Sequence, residues 1–150
     1  MFWRALFAFL ALPGVVAIAV PAWYAARALR AGGTFHAIGL LPLAAGFLLL
    51  LWCVRDFYVA GRGTLAPWAP PRNLVTTGLY RYSRNPMYVA VTMMLMGWSM
   101  SFASTGLALY AACVIVAFHL RVVFGEEPWL ARTHGARWDE YKAHVPRWLM

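Results

Sequence analysis

Residues 85–120 read NPMYVAVTMMLMGWSMSFASTGLALYAACVIVAFHL, a stretch of 36 residues without a single Asp, Glu, Lys or Arg. A helix that crosses a membrane needs about 20 apolar residues, so the stretch is too long for one span and suits two. Its centre, residues 101–106, reads Ser-Phe-Ala-Ser-Thr-Gly and supplies turn-forming residues. We therefore predict a hairpin of two membrane helices, over about 86–101 and 105–121.

The rest of the chain supports a membrane protein. Hydrophobic residues make up 63% of it and charged residues only 12%, whereas soluble domains are about 25% charged. So few charges could not cover the surface of a soluble domain, and an aromatic share of 16% excludes a disordered chain. We predict a single all-α integral membrane domain, residues 1–150, with about four spans. The spans are predicted at 5–26, 37–54, 86–101 and 105–121, with a loop at 55–85 and a helical tail at 122–150.

The charge distribution predicts the orientation. The chain has 13 Lys and Arg against 5 Asp and Glu, a net charge of +8. Four spans place all the bases except Arg27 and Arg30 on the side of the N-terminus, the loop and the tail. By the positive-inside rule that side is cytoplasmic, and the compact chain suggests a bacterial inner membrane. Nucleic acid is not an expected partner, because the bases lie between apolar runs and form no basic face.

One segment between these runs suits an anion. Residues 78–88 read GLYRYSRNPMY, and Asn85 followed by Pro86 is a strong helix start, with Asn as the cap. The free N–H groups of such a start, beside Arg84, would hold a carboxylate or phosphate. The alternative is a charged, aromatic belt at the membrane interface.

Two of the five acids are adjacent, Glu126 and Glu127. Neighbouring carboxylates suit a cationic ligand, or one of them can act as a general base. Alternatively, they are a pair that starts a helix and is neutralised by Arg121 or Arg132. No metal site is predicted, since neither the cysteines nor the histidines have partners at metal-ligand spacing.

The tail is predicted to form two short helices separated by Gly135. In the second, over 136–143, Trp138 and Tyr141 are three residues apart and share a face. Beyond it, Arg147 could clamp a carboxylate or phosphate, or could simply anchor the tail at the interface.

Together these segments resemble the isoprenylcysteine carboxyl methyltransferase and phospholipid methyltransferase superfamily of membrane enzymes. That pattern is G-x-Y-x-x-x-R-H-P-x-Y-x-G, a glycine seven residues on, R-x-x-x-x-E-E-x-x-L, and a tail Y-x-x-x-V-P-R. The matching positions, within residues 74–148, are Gly78, Tyr80, Arg84, Asn85, Pro86, Tyr88, Ala90, Gly97, Arg121, Glu126, Glu127, Leu130, Tyr141, Val145, Pro146 and Arg147. Two positions depart from the pattern. Asn85 replaces the histidine and cannot titrate, and Ala90 replaces a glycine and adds a methyl group.

The resemblance implies S-adenosylmethionine as the cofactor. The residues it implies for binding the cofactor are Gly78, Tyr80, Arg84, Asn85, Pro86, Tyr88, Glu126 and Glu127. Catalytic roles fall on Arg147, Tyr141 and Glu127, with Arg147 and Tyr141 closing the site and orienting the acceptor. The acceptor is a lipophilic or small molecule with a carboxylate, amine or thiol, and a lipophilic one could enter from the membrane lipid.

The sequence leaves two alternatives to an enzyme to consider. Asn85 in the histidine position leaves open a non-catalytic membrane scaffold or partner protein that keeps the fold. A transporter or channel is disfavoured because the predicted spans contain no charged residue.

Overall fold

In the computed structural model of the chain, residues 10–59 and 73–149 are described. Within these ranges all secondary structure is helical. Six α-helices follow in chain order, α1 (Val20–Arg30), α2 (Leu40–Val59), α3 (Pro86–Phe102), α4 (Thr105–Arg121), α5 (Glu127–His134) and α6 (Ala136–His144). They are connected by π-helical segments at Leu10–Ala19 and Val122–Glu126 and by 3-10 turns at Ala37–Gly39 and Gly78–Arg81.

The predicted helical class is confirmed for the described residues. Two helical runs there are long and apolar enough to cross a membrane, Ala37–Phe57 and Thr105–His134. Large apolar side chains such as Leu41 and Leu48 are exposed on α2, which suits a helix surrounded by lipid. The count of four spans and the side on which the tail lies stay predictions.

Helix ends deviate from the predicted spans in two places. The first helical run continues past residue 26 to Arg30, and Gly32, with φ +82°, follows its end. A positive φ is a conformation that glycine adopts without strain. The second, α2, continues past Arg55 to Val59, since an exposed arginine can extend its charge towards water without ending a helix. Residues 5–9 of the first predicted span and 60–72 of the predicted loop lie outside the described ranges.

The predicted hairpin is present, with bounds within one residue of those expected. Ala103 takes a left-handed conformation, with φ +44°, and closes α3. Ser104 then caps α4, because its side chain accepts a hydrogen bond from the Leu107 N–H at 3.4 Å. The turn therefore forms at the centre of the uncharged stretch, where the small polar residues are.

Glycines let α2 and α3 pack with their backbones in close approach. A Cβ atom placed on Gly46 would lie 2.6 Å from the carbonyl oxygen of Ala90, and one on Gly97 would lie 2.6 Å from the Leu43 nitrogen. Ala90, whose backbone approaches Gly46, is fully buried there. This close crossing fixes α3 and, with it, the end of α3 that continues from residues 78–85.

Replacing Gly46 with alanine should therefore destabilise the protein. The new methyl group meets backbone atoms that cannot rotate away, and overpacking of this kind costs about 1–3 kcal/mol. Thermal unfolding of the purified protein in detergent measures the effect. Gly125→Ala is the matched control, since a Cβ atom at Gly125 would have no atom within 4 Å. Equal melting temperatures for the two variants would contradict the close packing.

Candidate active site

Asn85 lies at the start of α3, but it does not cap the helix as predicted. Its side chain makes no capping hydrogen bond. Instead, Nδ2 of Asn85 donates to the carbonyl oxygen of Arg147 at 3.0 Å. The prediction of a cap was wrong because the C-terminal tail lies close by and offers a carbonyl that uses the amide. Among the described residues, no side chain therefore caps the first N–H groups of α3, which carry the partial positive charge of the helix.

The tail is fastened to the residues before α3 by further hydrogen bonds. The Arg84 N–H donates to the Pro146 carbonyl oxygen at 2.9 Å, and Ser83 Oγ donates to that of Arg147 at 3.3 Å. Ser83 also accepts from the Asn85 N–H at 3.1 Å and is buried. Ser83 stands at an unspecified position of the family pattern, so the pattern does not single it out.

Glu127 lies between two arginines. Its Oε1 accepts from Arg84 Nη1 at 2.9 Å and from Arg147 Nε at 2.8 Å, and its Oε2 accepts from Arg147 Nη2 at 2.8 Å. The side chains of Arg84 and Glu127 are only 10% and 14% exposed, so water screens this pair little. The hydrogen bonds to Glu127 raise the pKa of Arg147. Two guanidinium groups share one carboxylate, which leaves the cluster with one net positive charge.

Arg84 retains unused hydrogen-bond donors. Its guanidinium lies over the ring of Trp138, with 5.5 Å between the guanidinium carbon and the ring centroid, and Trp138 is buried. Nε of Arg84 is buried and has no hydrogen-bond partner among the described residues. A buried donor without an acceptor is costly, so a ligand that supplied one would relieve that cost.

Glu126 has different partners from its neighbour. Its carboxylate accepts hydrogen bonds from the Tyr88 hydroxyl and, at 2.8 Å, from Arg121 Nε. The π-helical segment that ends at Glu126 joins α4 to α5, so the helix continues through the acidic pair. Such segments are frequent at functional sites. The two acids therefore belong to different clusters, Glu126 with Tyr88 and Arg121, and Glu127 with Arg84 and Arg147.

Tyr141 and Tyr80 connect α6 to the turn before α3. The Tyr141 hydroxyl donates to the Tyr80 carbonyl oxygen at 2.7 Å. Burial raises the pKa of Tyr141, although the nearby Arg84 opposes this, so the phenol stays protonated and can donate. The shared face of Trp138 and Tyr141 is confirmed, with 5.9 Å between ring centroids. Gly78, with φ +61°, packs so closely on the Asp56 carboxylate that a side chain there would collide with it.

A cavity of about 810 Å³ opens in front of these residues. Six of the predicted site residues line it, Tyr80, Arg84, Asn85, Tyr88, Glu126 and Tyr141. The other four, Gly78, Pro86, Glu127 and Arg147, are not part of its lining among the described residues. The lining also includes Val16, Val91, Phe118 and Trp129, which had no signal in the sequence. Trp138 lines it too, and the sequence indicated this residue only by the helix face that it shares with Tyr141.

The described residues thus form an all-helical fold with a cavity where α3 begins and α4 ends. The phospholipid methyltransferase family matches the chain over residues 34–137, and the chain belongs to this family. No curated protein and no solved structure matches the chain. Membership implies membrane methyltransferase activity in general, and proteins of this family generally use S-adenosylmethionine. Tyr141 and Arg147 lie beyond the matched residues.

The tail contacts make a testable prediction for Glu127. Removal of its carboxylate in Glu127→Ala leaves Arg84 and Arg147 facing each other with no acid between them, so the tail should detach more often. Hydrogen exchange of the backbone amides at 141–149 should accelerate by roughly tenfold or more. A tenfold change corresponds to a loss of about 1.4 kcal/mol in the free energy that holds the tail in place. Asp139→Ala is the control, because it removes only an exposed pair with Lys142. Unchanged exchange in Glu127→Ala would show that the ion pairs do not hold the tail.

Proposed function

We propose that the protein is an S-adenosylmethionine-dependent methyltransferase that acts at the cytoplasmic face of the membrane on a lipophilic or small acceptor. One observation carries the proposal: the nine-tenths buried Arg84 lines a cavity beside the uncapped start of α3. Family membership supports the reaction, and the cavity supports the ligand. Its volume lies within the range of about 300–1,000 Å³ that is typical of small-molecule sites.

The residues of the cavity fit the carboxylate of the cofactor. The net positive charge of the Arg84–Glu127–Arg147 cluster, the unused donors of Arg84 and the free N–H groups of α3 all favour an anion. Asn85 lies beside them in the lining. Arg84 is the residue we propose to contact the carboxylate.

The cationic and aromatic parts of the cofactor also have counterparts in the lining. Glu126 is the acid for the ammonium or the sulfonium. Tyr88, Tyr80 and Trp138 offer ring faces for the adenine or for a cation. When bound, S-adenosylmethionine supplies an electrophilic methyl group. The task of the chain is then to orient the two reactants and exclude water, which contributes much of the rate in such displacements.

The acceptor would approach along the apolar walls of the cavity, which include Val16, Val91 and Phe118. A lipophilic molecule fits these walls, with a carboxylate, amine or thiol at its reactive end. Amine and thiol acceptors must lose a proton. Glu126, which already accepts from Tyr88, is the carboxylate in the lining placed to take it. We therefore propose that Glu126 accepts the proton and that Glu127 acts by holding Arg84 and Arg147 in place.

Asn85 does not by itself favour the alternative of a non-catalytic scaffold. Its amide is used as a hydrogen-bond donor to the tail, and the N–H of a histidine could do the same. The replacement therefore keeps a contact that needs no titrating group.

Binding of S-adenosylhomocysteine to the full-length protein in detergent, measured by calorimetry, tests the proposal. We expect saturable binding. We expect Arg84→Ala to weaken it by roughly 10- to 100-fold, as is typical when a hydrogen bond to a charged group is lost. Arg30→Ala, an exposed arginine at the end of α1, should bind as the wild type does. Absence of binding by correctly folded wild-type protein would overturn the proposal.

Transfer of a labelled methyl group from S-adenosylmethionine to a membrane extract tests the reaction itself. We expect the label to appear in an extractable product with the wild-type protein, and Glu126→Gln to reduce it if the acceptor is an amine or thiol. A folded protein that binds S-adenosylhomocysteine yet labels no extract would favour the scaffold.

A further inference from the structure

Arg147 and Glu127 are close to the cavity without lining it. The Arg147 side chain is joined to that of Arg84 through Glu127, whose Oε1 accepts from both guanidinium groups. The position of Arg147 is in turn set by its own backbone, because its carbonyl oxygen accepts from Asn85 Nδ2 and Ser83 Oγ. A continuous series of contacts thus leads from Asn85 through Arg147 and Glu127 to Arg84.

We propose that Asn85, Arg147 and Glu127 are positioning residues, which hold the Arg84 guanidinium where it binds the carboxylate of the ligand. On this view the tail is part of carboxylate recognition although Arg147 touches no ligand. The inference rests on the proposed function. It adds that these three residues determine the preference for a ligand with a carboxylate.

Arg84 needs such support because an arginine side chain has many rotamers. Trp138 restrains one side of the guanidinium through the stacking contact, and Glu127 fixes Nη1. Glu127 itself is held by the two-point contact from Arg147, whose planar fork matches a carboxylate. Loss of Arg147 therefore leaves Glu127, and through it Arg84, less ordered.

The Arg147 carbonyl oxygen defines what residue 85 must provide. Both of its acceptor positions are used, one by Ser83 and one by Asn85. Residue 85 must therefore donate a hydrogen bond and need not carry a charge. Histidine at this position meets the requirement, whereas aspartate would place a carboxylate against a carbonyl oxygen and leucine would offer no donor.

Two ligands that differ only in the carboxylate separate this role from a general structural one. S-adenosylhomocysteine has the carboxylate, and its decarboxylated form keeps the adenosine, the thioether and the amine. Their affinities for the full-length protein in detergent give a preference ratio. We expect the wild type to prefer S-adenosylhomocysteine by roughly 10- to 100-fold, and Arg84→Ala to lose that preference.

The positioning residues should change the ratio in the same direction. Glu127→Gln, Arg147→Ala and Asn85→Leu are each expected to weaken S-adenosylhomocysteine binding by at least about fivefold while the affinity for the decarboxylated form stays within about twofold. Glu127→Gln and Arg147→Ala lose charge-assisted contacts, and Asn85→Leu loses a hydrogen bond between neutral groups. Asn85→His should retain the wild-type ratio, and Asn85→Asp should lose it. Arg30→Ala is the control for loss of an exposed arginine elsewhere.

The possible failures are distinct. If folded wild-type protein binds neither ligand, the proposed function fails. If it binds both equally, or if the Glu127 and Arg147 variants weaken both ligands to the same extent, S-adenosylhomocysteine binding stands and the positioning role is wrong. Size-exclusion chromatography and circular dichroism establish that each variant is folded. Should Arg147→Ala not fold, Arg147→Lys, which keeps the charge and loses the two-point contact, gives the same comparison.

Discussion

The shared carboxylate of Glu127 is the interaction on which the site depends. It joins three parts of the chain that are distant in sequence: the residue before α3, the start of α5, and the tail after α6. Because Arg84 and Glu127 are nearly buried, the ion pair is protected from screening, and the loss of Glu127 would leave the buried Arg84 charge without an acidic partner among the described residues. Glu127 therefore holds the arginine that lines one end of the cavity, although it does not line the cavity itself.

The positions of the helices that bear this cluster could largely be predicted. The uncharged stretch determined the hairpin of α3 and α4 to within a residue, because charge and turn-forming residues are local signals. The π-helical segment between α4 and α5 could not be predicted, since one extra residue in a turn leaves no mark in an apolar pattern. The same holds for the close crossing at Gly46, which depends on a residue of another helix lying opposite.

Most of the site residues predicted from the sequence do line the cavity, but the hydrogen bonds between the site residues could not be predicted. Six of the ten predicted residues line one cavity, since the motifs name residue types suited to the ligand. The motifs did not indicate that the Asn85 amide donates to a carbonyl oxygen 62 residues away and does not cap the helix that follows it. Because Glu126 and Glu127 are adjacent, the sequence did not distinguish their partners. In the structure, Glu126 accepts from Tyr88 and Arg121, whereas Glu127 accepts from Arg84 and Arg147.

The tail shows how a site can depend on residues outside the family match. The match ends at residue 137, yet the residues before α3 bind the carbonyl oxygens of Pro146 and Arg147. Every residue has such a carbonyl, so these contacts demand little of the tail sequence. The side chains of Arg147 and Tyr141 add demands of their own, through the two-point contact with Glu127 and the hydrogen bond to the Tyr80 carbonyl oxygen. The end of the family match at residue 137 is therefore compatible with a structural role of the tail, because part of its attachment is made by backbone atoms.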